Sequence, residues 1–383
     1  MKVALVYDRV NKWGGAERVI VALRKIFPDS VLFTSVYKED RASWAKKIPI
    51  RTSFLQKLPF AASFHEALAT LMPIAFENFN FDGYDLVISV TSEAAKGIIT
   101  KPHTKHVSIV LTPTRYLWSG YEDYFSNPFF RIISFPIVSY LRFWDKIAAR
   151  RPDKLIAISE TVRNRIKKYY ELESEVIYPP LMMRPTIGRK INHQSSIINH
   201  KSYFLVVSRL VPYKKIDLAV KAANKVGAPL KIIGTGRELS RLKKMARLRA
   251  SFAGVATKAE QGYGGRAGSR VDFLGYVSDS DLKYYYSNCK ALIFPGVEDF
   301  GLTMVEAQSF GKPVIAFKGG GAEEIIIQGK TGVFFDKQTS SSLADKLKSF
   351  RASRYNEKDC RKNARRFSFE EFAKKIKELV NDQ

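Results

Sequence analysis

Cysteine and histidine are scarce in this 383-residue chain, with two and five copies. Cys289 and Cys360 lie far apart and share no spacing with other metal-ligating residues, so neither a disulfide framework nor a metal site is expected. A reducing, cytoplasmic compartment is the simple inference. No D-x-D stands where it would hold a cation, and the metal expectation is none. Long apolar runs are also missing. The most apolar region, 129–149, is broken by Arg131, Pro136, Arg142 and Asp145, which excludes a spanning helix by pattern. The chain opens on a strand pattern, MKVALVYD, without a basic n-region or an apolar h-region, so no secretory signal is expected.

Acidic residues are the last shortage: 37 against 63 basic ones, a formal charge of +26. A field of that sign attracts nucleic acid, an anionic membrane surface or a phosphate-bearing substrate. Residues 1–180 carry 26 basic and 18 acidic side chains, and residues 181–383 carry 37 and 19, so the excess is no terminal arm. A nucleic-acid binder would want aromatic platforms or a recognised module, and the sequence offers neither. No nucleic-acid partner is therefore expected. Hydrophobic content of 45% with 26% charged residues is that of a folded chain, long enough for two domains.

What is present centres on Ala291 to Glu324, ALIFPGVEDFGLTMVEAQSFGKPVIAFKGGGAEE. A buried-strand pattern runs through a Pro-Gly turn and an acidic loop into an apolar-periodic helix starting near Leu302. This order sets a helix N-terminus at the carboxyl end of a strand, where free N–H groups and the helix dipole favour an anion such as phosphate. Glu298 lies just before the helix and Glu306 two turns into it. Two carboxylates beside an anion site suit sugar hydroxyls, since a carboxylate accepts from a vicinal diol. For a lone glutamate, a solvated side chain on a capped helix would be the better reading.

The whole string resembles the E-x7-E segment of family 4 glycosyltransferases, retaining enzymes of the GT-B fold. Glu298 and Glu306 fill the two Glu positions, Phe300-Gly301-Leu302 matches the usual F-G-L, and Gly319-Gly320-Gly321-Ala322 with Glu324 matches the glycine-rich turn. The resemblance implies that Glu298 lies by the transferred sugar and that Glu306 binds the nucleotide ribose. A second match is Ser208-Arg209-Leu210-Val211-Pro212-Tyr213-Lys214, similar to the family's S-R-L-V-P-x-K. A strand delivering an arginine fork and, five residues later, a lysine point charge can clamp a diphosphate. A solvated basic loop is the competing role; the resemblance assigns Arg209 and Lys214 to the leaving group.

Earlier in the chain, a strand pattern at Lys2 to Tyr7 leads through Trp13-Gly14-Gly15-Ala16-Glu17 into a helix. It is not G-x-G-x-x-G, which argues against a dinucleotide site. The resemblance puts Gly14 and Gly15 against the donor diphosphate and acceptor; a tight turn is the alternative. Strand patterns at Ser30 to Thr34, Leu86 to Val90 and Val107 to Val110, with helices between, read as a doubly wound parallel sheet. Leu111-Thr112-Pro113-Thr114-Arg115-Tyr116-Leu117-Trp118 resembles the H-T-P-M-R-Y-x-W string of the WbaZ-like O-antigen mannosyltransferase branch. Arg51 to Gln56, Gly83 to Ser89 and Tyr178-Pro179-Pro180 agree with it. Leu111 stands where that branch has histidine.

Phe129 to Arg151 mixes aromatic and basic residues over a helix length. It reads equally as a surface lying on an anionic bilayer and as a core helix with a basic outer face. The resemblance puts the turn after the strand at Val271 to Gly275 beside the nucleotide base, where Asp279 could accept from two adjacent guanine donors; capping the helix that follows is the competing role. Residues 246–270 read as an inserted loop. Phe367-Ser368-Phe369-Glu370 looks like the family's C-terminal F-S-W-E, whose helix crosses back to the first domain.

The resemblance thus implies a GT-B fold, two Rossmann-like doubly wound parallel-sheet domains facing a cleft. Residues 1–180 form the acceptor-binding domain, 181–200 a linker, 201–366 the nucleotide-sugar domain and 367–383 the returning helix. The expected function is metal-independent, retaining transfer of a hexose, mannose from GDP-mannose, to a lipid-linked or polysaccharide acceptor in cell-surface glycan synthesis. The expected location is the inner face of the cell membrane. A UDP-sugar donor, a GT-B nucleotide-sugar epimerase and a basic nucleic-acid-binding protein are the alternatives.

Overall fold

The structure, a computed structural model, describes residues 1–58, 68–125, 127–183, 185, 203–247 and 270–381. The linker 181–200 and the inserted loop 246–270 fall almost wholly outside these residues. The chain divides into two compact units, Met1–Met182 with Phe369–Gln383, and Met183–Ser368.

The first unit is built on a seven-stranded sheet, every described pairing parallel, in the order β3-β2-β1-β4-β5-β6-β7. Its strands are β1 (Val3–Tyr7), β2 (Val31–Thr34), β3 (Ile50–Thr52), β4 (Leu86–Thr91), β5 (Lys105–Val110), β6 (Lys154–Ala157) and β7 (Glu175–Val176). Its helices are α1 (Gly15–Ile26), α2 (Met72–Glu77), α3 (Tyr121–Tyr124), α4 (Pro128–Ala148) and α5 (Glu160–Tyr170). All residues of β1 and β4 are buried, as parallel strands covered on both faces must be. One face packs an aromatic cluster of Phe33, Phe76, Phe79, Phe81 and Tyr84.

The second unit has a six-stranded sheet in the order β10-β9-β8-β11-β12-β13, again parallel throughout. Its strands are β8 (Phe204–Val207), β9 (Leu230–Ile233), β10 (Val271–Gly275), β11 (Ala291–Phe294), β12 (Val314–Phe317) and β13 (Gly332–Phe335). Its helices are α6 (Ile216–Val226), α7 (Leu239–Arg247), α8 (Asp279–Asn288), α9 (Leu302–Ser309), α10 (Ala322–Ile325), α11 (Ser340–Ser349) and α12 (Glu357–Arg365). The last helix, α13 (Phe369–Asn381), belongs to the first unit. Phe372, Ile376 and Leu379 bury its apolar stripe, and Lys105 Nζ donates to the Leu379 and Val380 carbonyls at 3.1 Å. A cation at a helix C-terminus meets the negative end of its dipole.

In both sheets the strand order reverses next to the first strand of the unit, between β1 and β4 and between β8 and β11. Loops leaving the carboxyl ends of neighbouring strands diverge at such a switch point, which is where open α/β sheets hold ligands.

Candidate functional site

The β8/β11 switch point collects most of the residues that the sequence singled out. Pairing of Ala291 with Phe204 and of Leu292 with Leu205 sets the two exit loops side by side. From β8 the chain passes Arg209 and makes a short 3-10 turn at Pro212–Lys214. From β11 it passes Pro295-Gly296 to Glu298, and a Cβ on Gly296 would stand 3.0 Å from the Lys214 carbonyl oxygen. The two loops thereby join Lys214 Nζ to Glu298 Oε1 in an ion pair, with side-chain exposures of 11% and 22%. Arg209 is exposed and donates from Nη2 to the Tyr213 hydroxyl at 2.6 Å. Lys214 Nζ lies 5.1 Å above the ring of the same tyrosine. Tyr213 therefore joins the two cations, a role that the variable position of S-R-L-V-P-x-K gave no reason to expect.

The acidic loop is fixed from behind. Gly301 caps α9 in the left-handed region, φ +103, a conformation costly for a residue with a side chain. Gly301 has no side chain to cap α9, and the Met304 N–H of its first turn donates to the Gly301 carbonyl at 2.9 Å. Helices α5, α8 and α11 instead take serine or threonine caps. Gly320, at φ +61, backs the loop so closely that a Cβ would run into the Glu298 carbonyl oxygen. The next N–H, of Gly321, donates to that oxygen at 2.9 Å. The glycine-rich turn is thus a rest for the Glu298 backbone. Phe300 is buried, edge-on to Phe367 at 5.4 Å, and Leu302 opens the helix.

Glu306 sits elsewhere. It is 1% exposed and accepts from the Tyr286 hydroxyl at 2.8 Å, with Tyr286 stacked on Phe310. Its carboxylate is buried beside Tyr286 of α8. Asp279 is exposed in the first turn of α8. The capping role left open for it is overturned: Ser278 Oγ accepts from the Asp281 N–H at 3.2 Å, so Ser278 is the cap.

The β1/β4 switch point of the first unit holds Gly14 and Gly15, which open α1 without a side-chain cap. Gly14 is extended at φ −176, so no left-handed turn demands glycine here, and a Cβ would stand 3.1 Å from Glu17 Oε2. Around it lies a buried charge network that the sequence did not reveal. The Asp8 carboxylate accepts from the backbone N–H groups of Ser92, Glu93, Ala94 and Ala95 at 2.6–3.1 Å. Arg9 pairs with Glu93, whose carboxyl is raised by burial and held down in part by that arginine. Lys96 and Asp145, each 1% exposed, pair at 2.6 Å. Asp145 also accepts from Thr114 Oγ1, Trp118 Nε1 and the Tyr170 hydroxyl at 2.7–3.0 Å. Leu111 Nα donates to the Thr91 carbonyl at 2.8 Å at the start of the Thr114 and Trp118 loop.

These two switch points can be set beside known proteins. Residues 265–367 match the family described as Glycosyl transferases group 1. The chain is 28% identical over 193 residues to the O-antigen chain mannosyltransferase RfbU of Salmonella typhimurium, covering 49% of each chain. It is 32% identical over 152 residues to a GDP-mannose-dependent alpha-(1-6)-phosphatidylinositol monomannoside mannosyltransferase of Mycobacterium tuberculosis, covering 36% of this chain and 35% of the relative. The chain spans about half the length, or less, of these curated relatives. Among solved structures, Anabaena HepE in complex with UDP and glucose superposes with a TM-score of 0.70 over all of both chains at 20% identity. Two doubly wound parallel sheets with such neighbours define the architecture as the GT-B fold. Within it, residues 265–367 carry a glycosyl transferases group 1 segment that includes Glu298, Glu306 and the glycine-rich turn.

Proposed function

We propose that the chain is a retaining glycosyltransferase that moves mannose from GDP-mannose to a lipid-linked or polysaccharide acceptor, without a metal, in cell-surface glycan synthesis. The observation that carries this reading is the Lys214–Glu298 pair on the loops that also carry Arg209 and lead into α9, at the β8/β11 switch point. A diphosphate entering there replaces the carboxylate partner of Lys214 with phosphate oxygens and takes the arginine fork in a charge-assisted contact. Glu298, released from Lys214, is then an acceptor for hydroxyls of the transferred sugar. As the glycosyl–phosphate bond breaks, negative charge grows on the departing phosphate, where two cations and a helix N-terminus already lie. That is the service a divalent cation would otherwise give. The leaving phosphate helps deprotonate the acceptor hydroxyl on the same face, which keeps the anomeric configuration.

Mannose and guanine are supported by the relatives named as mannosyltransferases, one of them GDP-mannose-dependent, and by the exposed position of Asp279. The UDP and glucose bound to HepE favour a UDP-sugar as the second reading. Calorimetry with GDP and UDP separates them. GDP is expected to bind more tightly, and Asp279→Asn to narrow the gap, because an amide cannot accept from both guanine donors. Equal affinities in the unmodified protein would replace GDP-mannose by a donor yet to be found, and a panel of labelled nucleotide sugars then identifies it.

A further inference from the structure

Helix α4 is built inside out. Its buried stripe is Val138, Leu141, Asp145 and Ala148, at the helical spacing of three and four. The face turned away from the unit should therefore be polar. It instead carries Phe129, Ile132, Ile133, Tyr140, Phe143 and Ile147, with Ile132 74% and Phe143 68% exposed. The first turns, Phe129 to Ile133, are exposed residue after residue. Contiguous apolar area of this kind on a folded surface marks an interaction site.

We propose that this face of α4 docks in the plane of an anionic lipid bilayer. At 21 residues the helix is about 30 Å long, enough to span by length alone. It cannot leave the protein to do so, because its inner stripe is packed and Asp145 is held by Lys96, Thr114, Trp118 and Tyr170. No described helix is long and apolar enough to cross a membrane. Charge identifies the occupant. Residues 127–151 carry five basic side chains and one acidic one, and the acidic one is the buried Asp145. Arg131, Arg142 and Lys146 share one flank, where both arginines lie over the Tyr121 ring at 5.3 and 4.5 Å. An apolar face with aromatic residues and a basic margin is the composition of an interfacial helix, and its margin meets anionic headgroups. A second copy of a chain carrying +26 would bring like charges together.

Docking has a consequence inside the unit. Through Asp145, α4 holds Lys96 on the loop after β4 and Thr114 and Trp118 on the loop after β5. The carboxyl-end loops of the first sheet are thereby tied to the bilayer-facing helix, where a lipid-borne acceptor would arrive. Only this last step rests on the glycosyltransferase reading.

The test is flotation of the full chain with vesicles of phosphatidylcholine alone and of phosphatidylcholine with phosphatidylglycerol. Expected is at least about tenfold stronger partition to the anionic vesicles, falling as salt rises from about 50 to about 500 mM. Ile132→Glu with Phe143→Glu should lower it by about tenfold or more while the melting temperature and GDP affinity stay unchanged, since both positions are exposed. The docking proposal is overturned if the unmodified chain ignores anionic vesicles or if the double variant floats as well as it does. A dimer in sedimentation velocity that the double variant dissolves would overturn it in favour of a second copy. GDP binding is read separately, so failure of docking leaves the donor reading standing, and the reverse holds.

Discussion

At the β1/β4 switch point two carboxylates are buried and answered: Asp8 by four backbone N–H groups, and Asp145 by Lys96. At the β8/β11 switch point Arg209 is exposed, and Lys214 and Glu298 form a partly buried pair between two loops. The topology is the same, yet the charges serve different ends. Buried in low dielectric, an ion pair holds loops in place, and an incoming anion could not reach it without leaving a charge unpaired. An exposed arginine and a partly exposed pair exchange partners at less cost than a pair sealed in the interior, which a site that binds and releases a diphosphate would require.

The largest test of this contrast is Asp145→Ala. It strands the Lys96 ammonium in the interior and should destabilise the protein by about 3–5 kcal/mol, read by denaturant unfolding. Replacing Lys96 and Asp145 together by apolar residues should recover much of that loss. A single variant costing under about 1 kcal/mol would erase the distinction between the two switch points. Next in size, Arg209→Ala and Lys214→Ala should each lower turnover roughly 100-fold with unfolding midpoints unchanged, because each removes a contact to charge that grows in the transition state. Full activity in both variants would sink the diphosphate clamp. Gly320→Ala is intermediate. A side chain at φ +61 against the Glu298 carbonyl should cost about 1–3 kcal/mol of stability and lower turnover by shifting Glu298. A variant as active and stable as the parent would show that the glycine turn does not support that loop.

How much of this was legible in the sequence depends on reach along the chain. The runs of β1 and β11, the start of α9 at Leu302 and the order of strand, loop and helix are local patterns, and they could be read directly. The pairing of Lys214 with Glu298 was not legible, because it depends on β8 and β11 lying side by side. Lys96 and Asp145 are 49 positions apart, and Asp8 and Ala95 are 87 apart. Only folding brings them together, and no spacing rule connects them. The inward turn of Glu306 toward Tyr286 is of the same kind, 20 positions away on another helix. For α4 the sequence showed apolar residues on nearly every side, and only the packing of Asp145 told which face turns in.

The smallest effect lies in pH. His106 on β5 is buried, with Nε2 2.9 Å from Ser89 Oγ on β4. Burial pushes its pKa from 6.5 down to about 3, and the Arg151 guanidinium pushes the same way. The imidazole is neutral in the folded unit, and the unfolded chain takes up the proton near its ordinary value. Between those two values the unfolded state binds more protons, so stability is full above about pH 6.5 and falls as pH drops toward 3. From about pH 7.5 to about pH 5.5 the loss should be about 1 kcal/mol, provided only that the folded value lies well below 5.5. His106→Gln keeps a hydrogen-bonding group beside Ser89 and should flatten that slope. Because the described histidines all lie in the first unit, the protection of amides against exchange, taken relative to the intrinsic rate at each pH, should fall in β4 and β5 at the lower pH before it does in β11. Equal loss of protection in both sheets would mean that acid acts on the exposed charges of the second unit as much as on the buried interior of the first.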